Sequence, residues 1–251
     1  MLVCLLGWFK LLKRGQSVSV RPGGRTQALL SLLALASRRL GVNRDELLER
    51  LWPGGDADLA GQALRALVYT LHRSLGDALG GEAPVVRDDG RYRLNVEAGV
   101  VVDVDRFDGV IDAAEALERA GKTEIAVERY RAAVRLYDGD LAVGSDIQHL
   151  VERERLRARY INARARLAEH HLVERDYAAS LTNALEVLAV DPLREDAHRL
   201  VMRLYVRRGQ RAQALRQYRL CSQVLESEFQ AVPEHATQAL YELVRLDPSR
   251  V

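Results

Sequence analysis

Between Asp58 and Gly76 the large apolar residues Leu64, Leu67, Val68, Leu71 and Leu75 recur at steps of three and four. That spacing places them on one stripe of an amphipathic helix. The opposite side carries Gln62, Arg65, Tyr69, Thr70, His72 and Arg73, with no carboxylate between Asp58 and Asp77. A solvated helix face ordinarily mixes both signs of charge. A face of Arg, Gln, Tyr and Thr without acids suits a duplex groove, because phosphates repel carboxylates and base edges call for donors.

The flanking pattern frames this helix. Upstream, residues 2–12 and 16–21 predict two short strands joined by a turn at Lys13-Arg14-Gly15, with Val18 and Val20 alternating with Ser17 and Ser19. The period then changes, and Ala28, Leu29, Leu32, Leu33 and Ala36 predict a helix over about 24–37, ended by Arg38-Arg39-Leu40-Gly41. Asn43, with Glu46 three residues on, is a variant of the capping box that opens a short helix through Leu47, Leu48 and Leu51. Trp52-Pro53-Gly54-Gly55 stops it, and Asp56 or Asp58 starts the helix described first. Two further strands, near 84–88 and 91–96, meet across Asp88-Asp89-Gly90. Strands, three helices and a hairpin predict an α/β winged helix-turn-helix over residues 1–100. In that architecture the third helix enters the major groove and the hairpin lies along the backbone.

From Asp103 onward the pattern is helical throughout. Gly121-Lys122-Thr123-Glu124-Ile125-Ala126, Arg175-Asp176-Tyr177-Ala178-Ala179-Ser180 and Gly209-Gln210-Arg211-Ala212-Gln213-Ala214 each read as a tight turn leading into a helix, with a small residue at the same place. From Ser180 to Ala214 is 34 residues, the tetratricopeptide period, and from Ala126 to Ser180 is 54, that period plus 20. Residues 103–251 therefore predict an all-α, tetratricopeptide-like domain, interrupted around Gly139–Asp146. Such repeats bury one face on the next and leave a concave groove for a partner.

Charge adds a little. Residues 1–102 carry 14 Lys+Arg against 10 Asp+Glu, and 103–251 carry 23 against 25, so the modest basic excess sits with the candidate recognition helix. Cys4 and Cys221 are too few and too far apart for a disulfide scaffold and lack zinc spacing, which predicts buried thiols in a reducing cytoplasm. No run approaches the ~18–20 apolar residues of a membrane span, and Lys10, Lys13 and Arg14 follow the apolar start rather than precede it, unlike a signal peptide. The six histidines suggest no metal site, with His170 and His171 adjacent on a helix and His198 assigned to repeat packing. Gly54-Gly55 and Gly80-Gly81 lack the setting of a phosphate loop, and no nucleophile, base and orienter converge. Neither cofactor nor catalysis is expected.

These residues resemble a known family. Leu5-Leu6-Gly7, Arg25-Thr26-Gln27-Ala28-Leu29-Leu30, Asn43-Arg44-Asp45-Glu46-Leu47, Leu51-Trp52-Pro53 and Leu71-His72-Arg73-Ser74-Leu75-Gly76 resemble the DNA-binding half of the antibiotic-regulatory-protein (SARP) type of activators. Asp105-Arg106-Phe107, Tyr137-Asp138-Gly139-Asp140-Leu141, Glu152-Arg153-Glu154-Arg155-Leu156, Asp191-Pro192-Leu193-Arg194 through Met202, and Ala214-Leu215-Arg216-Gln217-Tyr218 are similar to the bacterial transcriptional activator domain found with it. Together these blocks span nearly the whole chain. The resemblance implies a bacterial transcriptional activator that binds direct repeats in double-stranded promoter DNA, often as a head-to-tail homodimer, and contacts RNA polymerase. It also implies a basic residue at Arg73. The chain departs from the family's pattern at Thr70 and His72, where Arg is usual. It departs again at Arg91 before Tyr92, where Gly is usual, and at Phe229-Gln230-Ala231-Val232-Pro233. No nucleotide-binding ATPase or phosphopeptide reader is expected within these residues. A small-molecule effector such as a cyclic dinucleotide is then the alternative source of control.

The candidate DNA contacts are Gln62, Arg65, Tyr69, Thr70, His72 and Arg73 on the third helix, Asn43 and Arg44 at the start of the second, and Arg87, Arg91 and Arg93 on the hairpin. Each has a plainer alternative. The third helix could be an ordinary solvated face, and Asn43 could serve only as a cap. The hairpin arginines could simply solvate an edge strand, with Arg91 and Arg93 on a shared face. Asp88 and Asp89 at the tip would repel phosphate, which favours a protein-interaction adaptor. The charged run Glu152–Arg166 could bind an acidic partner or nucleotide-like effector, or be a salt-bridged helix face.

Overall fold

The computed structural model describes residues 1–36, 41–142 and 147–251. The chain forms two compact units: residues 1–110 with 135–156, and residues 111–134 with 157–251. These units interleave in sequence, whereas the sequence pattern predicts two consecutive blocks divided near 100–103. Among the described residues no helix is long and apolar enough to cross a membrane.

The first unit opens with strands β1 (Leu2–Cys4), β2 (Lys10–Lys13) and β3 (Gln16–Val18). A single strand over 2–12 is not what forms. Gly7 adopts φ +83°, and a Cβ there would meet the Asp138 carbonyl oxygen at 2.6 Å, so the backbone turns where only glycine fits. β1 then pairs antiparallel with β2. β7 (Val101–Val102), two residues long and invisible to periodicity, adds to β1 in parallel, giving the sheet order β3-β2-β1-β7. The buried Asp103 carboxylate accepts from the Leu5 N–H at 2.8 Å and the Leu6 N–H at 2.9 Å, satisfying donors where the β1 ladder ends. Burial pushes this carboxyl above its ordinary range, against the opposing pull of those N–H groups.

Helices α1 (Arg25–Leu35), α2 (Arg44–Leu51) and α3 (Ala57–Leu75) follow; the expected helix end at Arg38, Arg39 and Leu40 lies outside the described residues. Leu29, Leu30 and Leu33 of α1, Leu47 and Leu51 of α2, and Leu64, Leu71 and Leu75 of α3 are buried. β4 (Val42–Asn43), another two-residue strand that the pattern does not announce, joins β5 (Val85–Asp88) and β6 (Arg91–Leu94) in a second sheet of order β4-β6-β5. β5 and β6 pair antiparallel from Val85↔Leu94 to Asp88↔Arg91. Asp89 and Gly90 both have positive φ, as a two-residue hairpin turn requires.

Helices α4 (Asp103–Arg119), α5 (Thr123–Leu136) and α6 (Ile147–Val173) contribute to both units. The second unit continues with α7 (Tyr177–Val190), α8 (Glu195–Arg207), α9 (Arg211–Phe229) and α10 (His235–Leu246). Ala126, Ser180 and Ala214, the small residues of the three turn-plus-helix segments, are all buried. The Ser180 hydroxyl donates to the Ala168 carbonyl at 2.8 Å, which a larger side chain would prevent. Leu181, Ala184, Val201 and Leu204 form one core cluster with Ala168, and Met202, Ala214, Leu240 and Val244 form the next. His198 joins two of the motifs in this unit. Its Nε2 lies 2.9 Å from the Pro192 carbonyl and its Nδ1 lies 2.7 Å from the Gln217 amide nitrogen, so the ring packs between repeats.

Candidate nucleic-acid interface

The position of α3 is fixed at both ends. Asp56 caps it, accepting from the N–H groups of Asp58 at 3.0 Å and Leu59 at 2.9 Å, an arrangement worth about 1 kcal/mol. At the other end the Lys13 ammonium donates to the Ser74 carbonyl at 2.8 Å, and Arg14 donates to the Asp77 carbonyl at 2.6 Å. Cations there satisfy terminal carbonyls and complement the helix dipole. Lys13 also pairs with Asp77 at 2.6 Å and holds that carboxyl below its usual range. The sequence pattern marks Lys13-Arg14-Gly15 only as a turn; the signal for this anchoring role is a pair of cations in a hairpin with no acid nearby.

Between these anchors Leu64, Leu71 and Leu75 face the core while Gln62, Arg65, Tyr69, Thr70, His72 and Arg73 are exposed. Arg65, Tyr69 and Arg73 stand at successive steps of four, one line along the helix spanning about 12 Å. Among the described residues neither these three nor Gln62 makes a side-chain hydrogen bond or ion pair. Thr70 and His72 differ. The Thr70 hydroxyl donates to the Ala66 carbonyl at 2.8 Å, and His72 Nε2 is 3.0 Å from the Gly81 carbonyl. Gly76 makes room for that ring, since a Cβ would approach His72 Cδ2 to 2.8 Å.

The neighbouring candidates are more committed. The Asn43 side chain accepts from the Glu46 N–H at 2.7 Å and so caps α2. Arg44 lies against Gly61, where a Cβ would collide with its guanidinium, and reaches the Ala57 carbonyl at 3.4 Å. On the hairpin, Arg91 and Arg93 alternate with the buried Tyr92 and Leu94. Arg91 donates to the Gly41 carbonyl at 3.3 Å. Arg93 pairs with both Glu97 oxygens, at 3.1 and 2.9 Å, and lies 3.8 Å from Asp88. Arg87 is on the Tyr92 side, its guanidinium 5.8 Å from the ring centroid. The structure thus leaves α3 with the uncommitted donors and ties most of the hairpin's cations to local partners.

The charged run of α6 behaves otherwise. In the first unit Arg155 grips the fully buried Asp108 with both terminal nitrogens, at 3.0 and 2.6 Å, and also binds Glu152. Those carboxylates raise its pKa further. In the second unit Arg159 pairs with Asp112, and Arg166 pairs with Glu118 at 3.6 Å and Glu169 at 3.2 Å. A cavity of about 400 Å³ there is lined by Arg159, Arg166, Arg194, Glu115, Glu118 and Asp196 among others. Arg194 is itself paired with Asp196 at 2.5 Å.

Comparison with known proteins places this geometry in context. Residues 102–245 match the bacterial transcriptional activator domain family. Regulatory protein AfsR of Streptomyces coelicolor is 26% identical over 225 residues, covering 89% of this chain and 22% of the relative, so the chain spans about a fifth of that protein's length. Among solved structures, Mycobacterium tuberculosis EmbR in complex with a low-affinity phosphopeptide superposes with a TM-score of 0.72 at 22% identity, over 99% of this chain and 66% of that one.

Proposed function

The chain belongs to the bacterial transcriptional activator domain family, and from that premise we propose that it is a DNA-binding transcriptional regulator. In this reading residues 1–100 act as a winged helix-turn-helix and residues 103–251 as the activator domain. Helix α3 enters the major groove. Arg65 and Arg73 donate to base edges or phosphates, Tyr69 reaches a phosphate, and Gln62 completes the line. Thr70 and His72, tied to Ala66 and Gly81, shape the surface more than they read it. The α2 N-terminus and the β5–β6 hairpin lie over the backbone on either side, with Arg87, which makes only a ring contact, and Arg91, which makes one long hydrogen bond, as the hairpin's less committed cations.

The observation that carries the reading is the line of uncommitted, acid-free side chains along α3. A solvated arginine on a surface helix ordinarily finds a carboxylate three or four residues away. Here Arg65 has none within that reach, and Asp77, four residues from Arg73, is taken by Lys13 at 2.6 Å. The resemblance to antibiotic-regulatory activators extends the reading to direct-repeat promoter sites, a head-to-tail pair of chains on DNA and contact with RNA polymerase. The activity is proposed as activation.

A direct test is titration of a fluorescent duplex bearing a selected site with the native chain and with Arg65→Ala and Arg73→Ala. The reading expects weaker binding by both variants at unchanged thermal stability, and affinity that falls steeply with salt as phosphate counterions are released. Equal affinity in all three proteins removes α3 from the interface. One observation favours a second reading, a protein-interaction adaptor: the hairpin tip carries the exposed acids Asp88 and Asp89. A flat salt response would support it.

A further inference from the structure

The end of α6 and the first turn of α5 bring together three side chains from two distant stretches of the sequence. His170 and Glu174 are one helical turn apart, and the Glu174 N–H still bonds the His170 carbonyl at 3.0 Å. Glu124 comes from the first turn of α5. One imidazole nitrogen and one oxygen from each carboxylate all lie within 4.8 Å of one another. Two carboxylates held so close repel, and among the described residues neither Glu124 nor Glu174 has a Lys or Arg partner. Arg131, a guanidinium close to this end of α6, is committed elsewhere: it binds Glu128 at 2.5 Å and lies 3.4 Å from His171 rather than His170. The cluster thus offers an uncompensated negative charge with a nitrogen donor at its edge.

We propose that Glu124, His170 and Glu174 form a binding site for a divalent transition-metal ion of the zinc type. The donor set selects the ion. Two carboxylate oxygens alone would suit magnesium or calcium, but the imidazole is a ligand those hard cations rarely take, and it favours zinc, cobalt or nickel. The geometry is within reach. Around zinc, ligand atoms at about 2.0–2.2 Å stand roughly 3.3 Å apart in a tetrahedron. The present separations close to that by rotation of side chains, two of them exposed glutamates. Three protein ligands leave a fourth position for water or a partner's donor. Bound metal would fasten the start of α5 to the end of α6, close to the Arg131–His171 contact between the same two helices.

The test uses the full chain stripped with a chelator and titrated with zinc chloride in a calorimeter, with cobalt(II) absorption as a second readout. The site predicts one zinc ion per chain, a cobalt visible spectrum displaced by zinc, and no comparable binding of magnesium or calcium. His170→Ala and Glu124→Gln, both at surface-accessible positions, are expected to fold as the native chain does by circular dichroism. Each should weaken zinc binding by about tenfold or more, since even outer ligands' partners cost that much. Absence of zinc binding, equal binding of calcium, or undiminished zinc affinity in both variants would overturn the assignment.

Discussion

Helices α3 and α6 both carry arginines along one side, and only one of the two sets is neutralised. In α6 three arginines meet carboxylates: Arg155 on Asp108 and Glu152, Arg159 on Asp112, Arg166 on Glu118. In α3, Arg65 and Arg73 meet none among the described residues. The lesson is that arginine content does not identify a nucleic-acid surface; the absence of complementary acids does. A paired guanidinium has its donors filled and its field cancelled, whereas an unpaired one keeps both for a phosphate or a guanine edge.

The largest effect that sharpens this contrast should come from the paired side. Asp108→Ala removes a fully buried carboxylate and leaves Arg155 with Glu152 alone. Breaking such a pair costs about 2–3 kcal/mol when one partner retains some solvent contact, measured as a lower denaturant midpoint, while affinity for DNA by the folded protein should hold. On the unpaired side the signature reverses. Arg65→Ala with Arg73→Ala should lower DNA affinity by about 30-fold to 25,000-fold at 1–3 kcal/mol per lost contact if the two act independently, yet shift stability by no more than about 0.5 kcal/mol. If the double variant loses stability and keeps affinity, the contrast is broken.

A titration separates a packed side chain from an exposed one. Burial holds the His198 imidazole below its ordinary range, against the opposing pull of the Pro192 carbonyl. Above pH ~6.5 the ring is neutral in folded and unfolded chains alike, and its contribution is complete. As pH falls through that value the unfolded chain binds the proton first, so stability declines until the folded-state pKa is passed. Thermal unfolding at pH 7.5 and 5.5 should show the loss, and His198→Gln should flatten it. The smallest effect belongs to the hairpin: Arg91→Ala should leave stability nearly unchanged and reduce the slope of log affinity against log salt by about one, the mark of a single phosphate contact.

Much of this was legible beforehand, for identifiable reasons. The α3 stripe, the Asn43 cap and the small residues Ala126, Ser180 and Ala214 follow from local rules of periodicity, capping and close packing. What escaped depends on long-range partners. Strands β4 and β7, of two residues each, exist because β6 and β1 offer edges, and no period can show in two residues. Gly7 divides the first strand because of Asp138, more than a hundred residues away. The commitments of Arg44 to the α3 backbone and of Arg93 to Glu97 were likewise unreadable, as was Lys13 anchoring the end of α3. Glu124 and His170 meet only in three dimensions, so adjacent histidines on a helix gave no hint of a cluster.

The central claim, that the acid-free face of α3 reads duplex DNA, is tested most directly by selecting bound DNA from a random-sequence pool, side by side for the native chain and the Arg65→Ala, Arg73→Ala double variant. The account predicts that the native chain enriches a spaced direct repeat and that the variant enriches none. Enrichment of the same motif by both proteins, or of no motif by the native chain, would contradict it.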